Sequence, residues 1–191
     1  MPRADAQRNV DALLSAAKDE FTAHGVDVPV RAIAARAGVG TATLYRHFPL
    51  RSDLIAAVFR REIDDVTALA ARLAATHPPV EALELWAQRY TEFVATKHGL
   101  GAALHSGDPA YSGLREYFEG NAGPALQRLL DEAADAGEIR PGVDAIELIG
   151  AIANLSAPPP GERGSERAGR MVGLLLDGLR YGATAGGRLN G

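Results

Sequence analysis

From Val10 to Leu179 the apolar residues of this chain return every three or four positions, and no stretch alternates long enough to make a useful strand. That spacing restricts the fold to packed helices. Val10, Leu13, Leu14, Ala17 and Phe21 form one face of a first helix ending near His24-Gly25. Val30 to Ala37 predicts a short second helix stopped by Gly38. Thr41 to His47 predicts a short third, closed by Phe48-Pro49 because a proline disfavours helix in the residue before it. Ser52 has the character of an N-cap, with Asp53 favourably placed against the helix dipole. Ile55, Phe59, Ile63, Val66, Leu69 and Leu73 then stripe a long helix to about Thr76. Further helices are expected over Val80 to Lys97, Gly99 to His105, Ala110 to Ala136, Asp144 to Leu155 and Ser165 to Gly182. The Ala110 helix is expected to break at Gly120-Asn-Ala-Gly-Pro124 and to close at Gly137. The expected fold is all-α, with about nine helices and a tail from Ala183 that frays.

Composition removes several functional classes. With 191 residues and 47% hydrophobic, the chain can bury one large core or two small ones. It has no cysteine, which excludes disulfides, thiolate zinc sites and cysteine nucleophiles. No run approaches the roughly 18 apolar residues of a membrane span, and Met1 to Arg8 lacks the apolar core of a signal peptide. A cytoplasmic protein without a membrane partner is expected. Residues 1–61 carry nine basic and six acidic side chains, leaving eleven basic and eighteen acidic for the rest. A basic head on an acidic body suits a protein that meets a polyanion at one end.

Residues 28–54 carry the sharpest local signal. Two short helices flank Gly38-Val39-Gly40, with small Ala34 where the helices must approach and Ile33, Ala37, Val39, Leu44 and Phe48 turned inward. This is the build of a helix-turn-helix, whose second helix enters the major groove. An ordinary corner between two helices has the same spacing, so the outward side chains have to decide. Thr41, Thr43, Tyr45, Arg46 and His47 offer hydroxyl, aromatic and basic groups suited to phosphate oxygens and base edges. Arg51 lies just before the next helix, whose N-terminal amides and dipole favour an anion.

The run Val30-Arg-Ala-Ile-Ala-Ala-Arg-Ala-Gly-Val-Gly-Thr-Ala-Thr-Leu-Tyr-Arg-His-Phe-Pro-Leu-Arg-Ser-Asp-Leu54 closely resembles the signature of the TetR/AcrR family of bacterial transcriptional regulators. The shared pattern is Ile-Ala-x-x-Ala-Gly-Val-x-x-x-Thr-Leu-Tyr-x-His-Phe, then a basic residue and Leu, and the likeness covers about residues 8–58. The resemblance implies that Thr41, Ala42 and Thr43 open the recognition helix toward the groove. By the same likeness Tyr45 and His47 contact phosphate, and Arg51 is a basic contact at the start of the fourth helix. Arg46 falls at a variable position that touches a base or a phosphate, and Arg31 reaches the backbone or a base edge. Ala42 stands where many members have glycine, and Pro29 where many have a serine or threonine cap. The implied division is a helix-turn-helix DNA-binding domain over residues 1–52 and a helical effector-binding and dimerisation domain over residues 53–191.

The body shows no His-Glu-x-x-His, no phosphate loop and no carboxylate cluster at ligand spacing, so neither an enzyme, a metal site nor a cofactor is expected. The stretch from Trp86 to Leu100 resembles one actinobacterial-type subgroup of the same family. Trp86, Tyr90 and Phe93 share a helix face, which on spacing alone is core packing. The resemblance implies a small-molecule effector pocket in this region, and Trp86, Tyr90, Phe93, His98, Leu104 and His105 are its candidate lining, with Asn154 as a buried polar anchor. The last two helices are apolar on more than one side, so the excess must be covered by the chain itself or by a second copy. Leu148, Ile152, Leu155, Met171, Leu174, Leu175, Gly178 and Leu179 are the candidate dimer interface. A homodimer is also what the resemblance implies, and it suits a palindromic operator with half-sites about 34 Å apart. The expected function is a ligand-responsive repressor released from double-stranded DNA by a small molecule. A DNA-binding architectural or protein-interaction factor with no effector is the alternative, and an absence of any cavity in the body would favour it.

Overall fold

The computed structural model describes residues 2–98, 108–156 and 165–181, and every regular element among them is helical. Helices α1 (Pro2–His24), α2 (Val30–Arg36), α3 (Thr41–His47), α4 (Arg51–Thr76) and α5 (Pro79–His98) come first. A 3-10 turn at Pro109–Tyr111 precedes α6 (Leu114–Asp135), α7 (Ala145–Ser156) and α8 (Ser165–Tyr181). The expected helix from Gly99 to His105, with Leu104 and His105 on it, and the tail after Tyr181 lie outside the described residues. No helix is long and apolar enough to cross a membrane among the described residues.

The described residues gather into two compact units, one of residues 2–62, 96–98 and 108–115, the other of residues 63–95, 116–156 and 165–181. Their division runs through α4 near Glu62, inside a continuous helix where the sequence carries no break. The boundary expected from the sequence is residue 52, in the first turn of that helix.

In the first unit α1 packs on α2 and α2 on α3. The buried core takes Leu13, Ala17 and Phe21 from α1, Ile33 and Ala34 from α2, Leu44 and Phe48, and then Leu54, Ile55, Val58 and Phe59 from α4. Burying each large apolar side chain is worth about 1.5–3 kcal/mol, which makes this core the main term holding two helices of only seven residues each. The turn between them is set by its glycine. Gly38 has a φ of +70°, its amide donates to the Ala35 carbonyl at 3.1 Å, and the Val39 amide reaches back to Ala34 at 3.0 Å. That pairing closes α2 and turns the chain toward α3. Lys18 and Glu62 pair at 2.6 Å with the carboxylate nearly buried, and Arg61 meets Asp11 at 2.9 Å at the surface. Both tie α1 to α4.

In the second unit the aromatic residues of α5 are core. Trp86 is fully buried and its indole N–H donates to the Val66 carbonyl at 2.8 Å. Tyr90 stacks on Trp86 at 5.3 Å and on Phe118 of α6 at 5.8 Å, and Phe93 stacks on Phe118 at 6.1 Å. Burial pushes the Tyr90 phenol well above its ordinary range. The expected break at Gly120 to Pro124 does not occur: α6 runs through Pro124 as one helix. Pro124 is exposed, and the residue four before it, where its ring presses on the carbonyl, is Gly120, also exposed. Ala122, Ala125, Leu126, Leu129 and Leu130 are buried around it, and that packing outweighs the lost hydrogen bond. Gly123 has its own reason, since a Cβ there would stand 2.8 Å from Ile146 Cδ1 of α7. Gly137 closes α6 as expected, with a φ of +71° and the Glu138 amide reaching Ala133 at 3.0 Å. Asp144 caps α7 by accepting from the Glu147 amide at 2.8 Å, and α7 packs on α8.

Candidate nucleic-acid interface

The geometry of α3 follows from its two anchors. Leu44 and Phe48 point into the core of the first unit, and the Gly40 carbonyl accepts from Thr43 and Leu44 at 2.9 and 3.3 Å to start the helix. With that side fixed, Thr41, Ala42, Tyr45 and Arg46 face outward, and Thr43 and His47 are half-buried at the edge. Tyr45 keeps 54% of its surface exposed, a large value for an aromatic residue unless something else is to cover it. Arg46 extends its Nη2 toward Thr43 Oγ1 at 3.4 Å, a weak bond that holds both on one edge. His47 sets its ring against Phe48 with centroids 6.5 Å apart. Arg31 is exposed on α2, which begins after Pro29 without a side-chain cap.

The basic residues of the first unit divide into two kinds. Arg36 is neutralised locally, by Asp19 at 3.2 Å and by Glu20 at 3.1 Å, and Lys18 and Arg61 have their own carboxylates. Among the described residues, Arg31 and Arg46 make no ion pair, so their charge is available to a phosphate oxygen or a guanine edge. The net charge of the segment did not distinguish these; only the pairing does.

Arg51 differs from expectation. Its Nε donates to the Val26 carbonyl at 2.7 Å and its Nη2 to the carbonyls of Val26 and Val28, so the guanidinium turns into the protein. The helix also begins two residues earlier than expected. Arg51 is its first residue, Ser52 is buried within it, and Asp53 Oδ2 accepts from the Leu50 amide at 3.0 Å. The N-terminal seat expected to hold a phosphate is therefore partly closed by the chain's own carboxylate.

Residues 13–58 match the bacterial regulatory proteins of the tetR family, and residues 78–181 match the C-terminal domain of SbtR-like transcriptional regulators. A TetR transcriptional regulator of Streptomyces coelicolor is 37% identical with a TM-score of 0.76, over 90% of this chain and 98% of that one. The chain belongs to the TetR family. A TetR regulatory protein of Mycobacterium vanbaalenii is 34% identical with a TM-score of 0.71, over 94% of this chain and 99% of that one. SmeT, the repressor of a Stenotrophomonas maltophilia multidrug efflux pump, shares the fold with a TM-score of 0.61 at 23% identity, over 89% of this chain and 87% of that one. No curated protein matches the chain. This TetR-family protein is thus a DNA-binding transcriptional regulator, and α2 and α3 are its helix-turn-helix.

The second unit of this TetR-family regulator sorts its candidate residues differently from expectation. Trp86, Tyr90 and Phe93 are core residues, as their spacing alone implies, with Trp86 stacked on Tyr90 and both Tyr90 and Phe93 stacked on Phe118. Asn154 is exposed on α7, contrary to its expected burial, because the buried side of that helix falls on Leu148, Ile149, Ile152 and Ser156. His98 ends α5, and its side chain lies outside the described residues. An open cleft of about 370 Å³ lies between Ala70, Ala71, Ala74 and Ala75 of α4 and Arg128 and Glu132 of α6. Trp86, Tyr90, Phe93 and Asn154 do not border it, and alanine side chains rarely announce a cavity in a sequence.

Leu148, Ile152 and Leu179, expected at a dimer interface, are buried within the unit itself. Their apolar demand is met by the packing of α7 on α8. The outward side of α8 is another matter: Leu174 is 63% exposed, Met171 and Leu175 are half-buried, and Gly178 leaves room beside them. Leu155 is half-buried and Ile146 exposed on α7.

Proposed function

We propose that this regulator is a homodimeric repressor that reads a palindromic operator in double-stranded DNA and leaves it when a small molecule binds the helical body. The observation that carries the reading is the outward face of α3, with hydroxyl, aromatic and unpaired basic groups over two buried anchors. Thr41, Ala42, Thr43 and Arg46 then face the groove, with Tyr45, His47 and Arg31 on the backbone beside it. Two copies joined through the exposed apolar residues of α7 and α8 present two such helices, as a site with half-sites about 34 Å apart requires. The regulator acts in the cytoplasm, on chromosomal DNA.

The release step follows from α4, which begins beside the reading helix and continues into the second unit. An effector that prefers one conformer of the body biases α4 and with it the spacing of the two reading heads. It acts only through unequal affinity for the two conformers. Membership of the family supports a bound molecule over a DNA-binding factor with no effector, and the open cleft beside α4 and α6 is one place on the body where such a molecule could rest. Selecting fragments of genomic DNA on the purified protein tests the first half of this reading, and the recovered sites should be palindromic. Measuring affinity for such a fragment across a small-molecule library tests the second; if no compound changes it, the release mechanism is lost.

A further inference from the structure

The arginine at the start of α4 occupies the position of a phosphate contact in the sequence pattern, yet its Nε and Nη2 donate to carbonyls of its own chain. Its partners are informative. The carbonyls of Val26 and Val28 lie in the turn just before α2, 25 and 23 residues back along the chain. Arg51 itself comes just after α3. The guanidinium therefore joins the two ends of the segment that contains α2 and α3.

We infer that Arg51 is a positioning residue for DNA reading, a staple at the base of the helix-turn-helix that fixes the attitude of α3 without itself touching the duplex. The chemistry favours arginine for the task. A guanidinium offers several N–H donors in one rigid plane and spans two carbonyls at once, where a lysine ammonium is a single flexible point charge. Both carbonyls also need a donor: they belong to a turn, and Val28 is buried, so no ladder supplies one. On the exit side, Asp53 holds the Leu50 amide at 3.0 Å and fixes the backbone from which Arg51 reaches. α2 and α3 are seven residues each and cannot hold a geometry by themselves. A tie between their ends removes a motion that their small shared core leaves open. Tyr111, on the 3-10 turn, stands in the same neighbourhood. Burial first and the Asp108 carboxylate second raise its phenol, and the Arg51 cation opposes them.

The inference rests on α3 being the reading helix, so the experiment separates the two. The probes are a labelled duplex recovered from the genomic selection and a scrambled duplex of the same length, with wild type, Arg51→Lys, Arg51→Ala and Arg46→Ala proteins, all at a temperature where each is folded. With a staple, Arg51→Lys fails to rescue. Both Arg51 variants bind the selected duplex at least about fivefold more weakly, bind the scrambled one as before, and keep the wild-type slope of log K against log salt. With a phosphate contact, Arg51→Lys binds like wild type, while Arg51→Ala weakens both duplexes and lowers the slope by about one. That result overturns the inference, as does wild-type binding by both variants. Amide hydrogen exchange on the free protein provides a readout that needs no DNA. Arg51→Lys should lose protection over residues 26–50 and keep it over residues 116–135, and unchanged protection over 26–50 also overturns the staple. If Arg46→Ala leaves both duplexes bound as before, the fault lies with α3 as reader and not with Arg51.

Discussion

Helices α3 and α8 each bury one side and expose large side chains on the other, but what they expose differs in kind. α3 sets Thr41, Tyr45 and Arg46 outward over Leu44, while α8 sets Leu174 outward over Val172 and Leu176. The inner faces obey the same rule, apolar residues at helical spacing turned to a core. The outer faces call for different partners. Hydroxyls and unpaired guanidinium groups suit the phosphates and base edges of a duplex, whereas an exposed leucine beside Gly178 suits the same surface of a second copy. The inside of each helix records the fold, and the outside records the partner.

The largest effect should come from the core that supports the second unit. Trp86→Ala removes a fully buried ring and its hydrogen bond to Val66, and is expected to lower the unfolding free energy by about 3–5 kcal/mol in urea titration. A loss below about 1 kcal/mol would show that the ring is not packed as described, and would reopen it as a ligand contact. The first unit has its own internal test. Lys18→Ala removes the ammonium beside the nearly buried Glu62 carboxylate, and should cost on the order of 2 kcal/mol. Arg61→Ala breaks a surface pair and should cost less than about 1 kcal/mol.

The outward faces come next. Leu174→Glu places a charge in the proposed dimer contact and should raise the dimer dissociation constant at least tenfold, about 1.4 kcal/mol, in sedimentation equilibrium. An unmoved constant would put the dimer elsewhere. Arg46→Ala should weaken binding of a selected duplex by about 1 kcal/mol and lower the salt slope by about one if the residue meets a phosphate. Arg36→Ala, whose charge is already met by Asp19 and Glu20, should leave that slope unchanged. Equal losses from the two arginines would erase the distinction between paired and available charge.

Much of the head was legible in advance because its determinants are local. The boundaries of α3, the left-handed glycine after α2 and the inward set of Ile33, Leu44 and Phe48 all follow from spacing and turn chemistry within a few residues. The body was less legible. The glycines and proline of α6 read as a break, and only the packing of Ala122 to Leu130 shows why the helix continues. The apolar excess of the last two helices was visible. Its division between Leu179, covered within the chain, and Leu174, left open, was not, because that depends on where α7 lies.

By itself the sequence determined an all-helical chain with a basic helix-turn-helix motif at one end, since helical period, glycine turns and outward residue types are properties of neighbours along the chain. Tertiary structure decided which charges remain available and which apolar residues remain exposed. Arg31 and Arg36 look alike in the sequence, and so do Arg46 and Arg51. Each is sorted by carboxylates or carbonyls that fold back from elsewhere, and a charge can act on a partner only after its own protein has left it unpaired.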